Sequence, residues 1–227
     1  MKTDWLIRQN NKSLLVFFNG WGQNARPFEP FKGEGHDVFM FWDYRNPPES
    51  FSWPEEFDSY ERITLVAWSM GAWFANYYFS PFADKIQQKI AVNGTLHPID
   101  DQFGIPEKIF AGTYLTLNDQ NLGKFNKRMF YGSAGEELYS DHSPKRPIEE
   151  VKEELKSIAD FCSSNHAGDN LFDLALISEQ DRIFPYKNLK TFWKDKIQTK
   201  TISQAHFPFY QWSGWDDLLQ SVNVSAE

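Results

Sequence analysis

The chain reads as an α/β protein, a mainly parallel, doubly wound sheet interrupted by an inserted helical subdomain. Three observations carry that expectation. Short β-rich runs alternate with longer amphipathic ones. Several of the short runs are apolar at consecutive positions, as strands covered on both faces require. The stretch between Gly94 and Phe172 is far longer than a crossover helix needs.

Taken in order, DWLIRQ (4–9) and SLLVFF (13–18) open the series of predicted strands, followed by DVFMFW (37–42) and RITLVAW (62–68). KIAVNG (89–94) precedes the long gap, and FDLALIS (172–178) and TKTISQ (199–204) follow it. Inside the gap, Ile148, Val151, Leu155, Ile158 and Cys162 share one helical stripe, with Pro147 at its start and acidic residues in its first turn. A second helix is expected to carry Leu122, Phe125 and Met129. The chain thus divides into a core of residues 1–96 and 169–227 and an inserted helical cap of residues 97–168, with no internal repeat or low-complexity tract.

Composition sets the outer limits. At 227 residues and 41% apolar, the chain can bury one sizeable core. A formal net charge of −8 withholds the field of Lys and Arg that a phosphate backbone demands, which argues against nucleic acid as a partner. No run approaches the ~18 consecutive apolar residues of a membrane span, and MKTDWLIRQNN lacks the apolar centre of a signal peptide. A cytoplasmic protein without membrane attachment is expected. The one cysteine, Cys162, excludes an intramolecular disulfide and belongs inside a helix as a small apolar residue. No His or Cys spacing matches a metal site, and nothing calls for an organic cofactor.

The chemistry centres on ITLVAWSMGAWFANYYF (63–79). A β-branched strand runs into Ser69, flanked at two residues' distance by the small Ala67 and Gly71, and then into a helical run. This is the strand-turn-helix context of the G-x-S-x-G nucleophile turn of α/β-hydrolases, with Ala in place of the first Gly. The alternative for Ser69 is a plain helix N-cap. A serine hydroxyl needs a base, and the base a carboxylate to orient it. In this fold both follow the serine on the last strands. LALISEQDRIFP ends a strand with Asp181 and TISQAHFPF follows another with His206, so these two complete a predicted Ser-His-Asp set, with Glu179 as the rival acid. His36, His142 and His166 fall in loop-like or polar stretches, while His97, after VNGT, is a candidate pocket wall.

Acyl transfer also demands two N–H donors for the tetrahedral oxyanion, one from the residue after the nucleophile and one from a loop after the fold's third strand. Met70 and Trp21 take those places, and Gly20 and Gly22 allow the FFNGWGQN loop to approach the site closely. Trp21 and Trp68 are further candidates for the pocket wall.

FFNGWGQN, VAWSMGAW, SEQDRIFP and QAHFPF, in this order across the whole chain, resemble the BioG esterases of biotin synthesis. Asn19 stands where many relatives of the fold carry His, which fits the BioG type. A monomer is expected. The resemblance implies cleavage of the methyl ester that caps a pimeloyl chain borne by an acyl carrier protein. Because such carriers are acidic, it further implies a basic docking surface, for which the cap offers Lys124, Lys127 and Arg128 in GKFNKRM and Lys145 and Arg146 in SPKRP. A thioesterase or broad carboxylesterase would use the same three residues, and a non-catalytic acyl-binding protein of this fold is the rival from another class.

Overall fold

A computed structural model describes residues 1–131, 133 and 135–223. Its strands are β1 (Lys2–Ile7), β2 (Ser13–Phe18), β3 (His36–Trp42), β4 (Arg62–Trp68), β5 (Gln88–Val92), β6 (Leu174–Ser178) and β7 (Gln198–Ile202). They form one sheet in the order β1-β3-β2-β4-β5-β6-β7, parallel throughout except for the antiparallel β1–β3 pair. All seven predicted strands are present, with ends shifted by up to two residues. The interior strands β2, β4 and β6 are buried almost without interruption, whereas the edge strands β1 and β7 are largely exposed, the burial that covering helices impose on a parallel sheet.

Aromatic side chains fill both faces. Phe17 packs edge-on against Phe28 and near Trp215, while Phe18 stacks on Phe41 at 4.4 Å and meets Phe79 edge-on. The helix α1 (Gly71–Phe79) follows β4 after a two-residue turn, α6 (Tyr186–Trp193) connects β6 to β7, and α7 (Trp215–Asn223) follows the last strand. Among the described residues, four helices lie between β5 and β6, α2 (Glu107–Thr116), α3 (Asp119–Met129), α4 (Glu136–Asp141) and α5 (Ile148–Ser164).

The expected stripe of α5 faces inward through Val151, Leu155 and Ile158, joined by a charged residue, Glu154. On α3, Met129 is buried and Leu122 and Phe125 pack partly against the core. Cys162 lies in α5, where burial pushes its thiol pKa up. Among the described residues, no helix is long and apolar enough to cross a membrane.

Register decides where the chemistry can sit. Phe18 pairs with Phe41 and Ala67, Trp68 with Val92, and Ser178 with Ile202. Because these strands run in parallel, the residues that follow them all emerge at one edge of the sheet, the carboxyl edge, where ligands bind in open α/β folds.

Candidate active site

Strand β4 delivers Ser69 at that edge. Its backbone lies in the left-handed region, with φ 59°, and its N–H donates to Val92 O at 2.9 Å. A non-glycine residue rarely adopts such a conformation unless its surroundings over-determine it. They do so here. Gly71 packs so tightly beneath the turn that a Cβ there would lie 2.5 Å from the carbonyl oxygens of both Phe18 and Asn19. Ala67, wholly buried, shows that one methyl group is accommodated on the preceding strand.

His206 bridges the other two residues. Its Nε2 lies 2.9 Å from Ser69 Oγ and its Nδ1 2.7 Å from Asp181 Oδ2. The bonding pattern assigns the proton to Nδ1, donating to the carboxylate and leaving Nε2 to accept from the serine. Asp181 Oδ1 accepts the N–H groups of Ile183 and Phe184 at 2.7 and 2.9 Å, which fixes the carboxylate's orientation. All three residues are at most 5% exposed. Glu179, the rival acid, is exposed on the far side of the turn, its N–H tied to Ile202 O.

Two residues hold the imidazole's backbone. His206 O accepts both Trp68 Nε1 at 2.9 Å and Asn93 Nδ2 at 3.0 Å. Asn93, at φ 46°, also exchanges bonds with Ser178, accepting its N–H and donating to its Oγ, each at 2.8 Å. Phe184 lies parallel to the His206 ring at 5.9 Å. Asn93 belongs to no motif. Its only sequence signal is an Asn at a strand end, a residue that tolerates positive φ.

Trp21 and Met70 both line the cavity above Ser69. Among the described residues, neither backbone N–H has a protein acceptor. Gly20 allows the loop its approach, because a Cβ there would lie 2.9 Å from the Trp68 ring and 3.3 Å from Ser69 Cβ. Trp68 lines the cavity as expected, and Ile109 and Phe110 of α2, Phe125 and Met129 of α3 and Leu155 of α5 make its other walls apolar. Arg128 and Arg182, both exposed, also line it.

Three expectations are corrected. His97 does not wall this cavity. Thr95 Oγ1 accepts the His97 N–H in a tight turn, and the exposed imidazole lies beside Phe103 and Phe192, in a different depression on the far side of Phe110. Arg146 is no surface cation. Its side chain is 4% exposed, with Nη1 2.6 Å from Glu154 and Nη2 3.2 Å from Asp43, so those carboxylates consume the charge. Lys124, Lys127, Arg128 and Lys145 remain exposed. His36 opens β3 rather than a loop, and its Nδ1 lies 2.6 Å from Asp216.

A family model, described as pimeloyl-ACP methyl esterase BioG, matches residues 1–218. The chain belongs to the BioG family. A BioG crystal structure from Haemophilus influenzae superposes with a TM-score of 0.84 at 30% identity, over 95% of this chain and 98% of that one. An uncharacterized protein of the same organism is 31% identical over 96% of this chain and 99% of its own length. A malonyl-[acyl-carrier protein] O-methyltransferase of Bacteroides fragilis is 38% identical over 81% of this chain, which spans only 37% of that protein. An esterase from Exiguobacterium antarcticum shares the fold alone, with a TM-score of 0.65 at 13% identity. The BioG chain described here therefore has the α/β-hydrolase fold predicted for it.

Proposed function

We propose that the chain is a serine esterase of biotin synthesis that hydrolyses the methyl ester of pimeloyl-[acyl-carrier protein], releasing methanol. The observation that carries the reading is His206, held within hydrogen-bond distance of both Ser69 Oγ and Asp181 Oδ2; membership of the BioG family supports the substrate. Ser69 Oγ attacks the ester carbonyl as His206 Nε2 takes its proton, and Asp181 stabilises the imidazolium that forms. The oxyanion meets the N–H groups of Met70 and Trp21. His206 returns the proton to the departing methoxide. A water, deprotonated by the same nitrogen, then attacks the acyl-enzyme and frees the carboxylic acid.

The apolar cavity supports an uncharged reacting end. A methyl ester can be desolvated among Phe110, Phe125 and Met129.

Residues 97–168 act as the cap. A groove between α2 and α3 shares Ile109, Thr113, Phe125 and Arg128 with the Ser69 cavity and also carries Lys108 and Lys124. It offers an anionic carrier arm a path outward, with Lys127 and Lys145 as further docking charges.

The test is methanol release from the carrier-linked ester. Ser69→Ala is expected to lower the rate by at least roughly 10³-fold, and undiminished turnover rejects the reading. Faster cleavage of the carrier thioester than of the methyl ester would make the enzyme a thioesterase instead.

A further inference from the structure

Glu154 is a wholly buried carboxylate that the mechanism above does not use. Its Oε2 accepts the N–H of Gly22 at 3.2 Å and lies 2.6 Å from Arg146 Nη1, while its Oε1 accepts the N–H of Tyr44 at 3.0 Å. Arg146 Nη1 also reaches Gln23 O at 3.3 Å. One residue earlier in the loop, the Trp21 indole donates to Val151 O of α5 at 2.8 Å. On the other flank, Gly20 N–H donates to Asn19 Oδ1 at 2.8 Å, and Asn19 O accepts the Tyr44 hydroxyl at 2.6 Å.

The polar groups on both sides of the Trp21 peptide therefore have fixed partners. Among the described residues the Trp21 N–H has no protein acceptor, and Trp21 lines the Ser69 cavity. Stability gives no reason for a buried ion pair here, because apolar side chains of similar volume usually serve a core as well. A charge-assisted hydrogen bond is more directional than an apolar contact and holds its partners in one geometry.

We propose that the Glu154–Arg146 pair is a positioning device for the oxyanion loop, clamping Gly22 and Gln23 so that the Trp21 N–H points at the carbonyl under attack. The helix α5 then does more than roof the cavity: it carries one side of the oxyanion site. This rests on the reading of Trp21 as an oxyanion donor.

Two variants test it on the full chain, with a p-nitrophenyl ester as substrate and an alkylboronic acid as a tetrahedral mimic. Glu154→Gln retains an acceptor but loses the charge. The double variant Glu154→Leu with Arg146→Met removes the clamp and leaves no unpaired charge between the two positions. In the double variant, kcat is expected to fall roughly 10- to 100-fold, with KM unchanged and boronate affinity weakened in parallel with kcat, while Tm falls because the Gly22 and Tyr44 N–H groups lose their acceptor. Glu154→Gln is expected to lie between.

Parental kcat and boronate affinity in the folded double variant overturn the proposal, as does a rise in KM at constant kcat. If the double variant does not fold, Glu154→Gln decides by the same two readouts. Ser69→Ala is the control: activity surviving there overturns the serine mechanism itself, whatever the clamp does.

Discussion

Ser69, the residue after β4, adopts a left-handed turn, and the carbonyl oxygens of Phe18 and Asn19 leave no room for a Cβ at Gly71. Gly71→Ala must push the Phe18 and Asn19 carbonyls aside, at about 1–3 kcal/mol of stability, seen as a lower denaturation midpoint together with slower ester hydrolysis. Asp181→Asn leaves the shape intact but favours the wrong imidazole tautomer, and kcat on a small ester is expected to drop about 10⁴-fold. Asn93 acts at one remove, through His206 O and Ser178. Asn93→Ala leaves buried polar groups unpaired at about 1–3 kcal/mol, and thermal melts together with kcat check it. The difference in legibility among these residues is physical. Ser69 sits in a turn whose small neighbours are local in sequence, and Asp181 and His206 follow recognisable strands. Asn93 works through Ser178 and His206, at least 85 residues away, and Glu154 joins the nearby Arg146 to Gly22 and Tyr44, more than 100 residues away, so the local sequence carries no mark of their roles.

Helices of the insertion differ in how plainly they were written. The stripes of α3 and α5 repeat at helical spacing, whereas α2 has no buried residue and exposes Leu115 and Ile109, a pattern without a predicted face. Its alignment over the cavity follows from tertiary contact rather than amphipathicity. Two open glycines separate stability from passage. A Cβ at Gly123 of α3 or Gly112 of α2 meets nothing within 4 Å, but only Gly112 lines the groove beside the cavity. Gly123→Ala is expected to raise stability by about 0.4–1 kcal/mol without altering turnover. Gly112→Trp fills the groove, and hydrolysis of the carrier-linked ester should fall while that of a small ester persists. Equal loss on both substrates argues against this path. If the carrier docks on Lys124 and Lys127 as proposed, turnover of the carrier-linked ester should also be the more sensitive to added salt.

Across the whole molecule, buried charge ties the insertion to the sheet. Asp43, one residue beyond β3, sits among Arg45, Lys2 and Arg146. Burial raises its pKa, but the hydrogen bonds from Arg45 and Lys2 and the Arg146 charge outweigh that and hold it well below the usual carboxylate range. A depressed folded-state value means stabilisation that is present above the ordinary carboxylate pKa and lost as pH falls through the folded one. The melting temperature is therefore expected to decline below about pH 4, and Asp43→Asn, less stable at neutral pH, should flatten that decline. Glu154 acts with the opposite sign, because burial, opposed by Arg146, raises its value; its ionisation costs stability as pH rises.

The sequence by itself determined the seven strands, the order of Ser69, Asp181 and His206 along the chain and the glycine-flanked Trp21, because strand periodicity and tight-turn sterics are written in neighbouring residues. Tertiary structure alone decided that Arg146 is clamped between Asp43 and Glu154 instead of facing solvent, and that His97 lies outside the cavity. Charge and residue type are local properties, but exposure and pairing depend on what distant segments bring alongside.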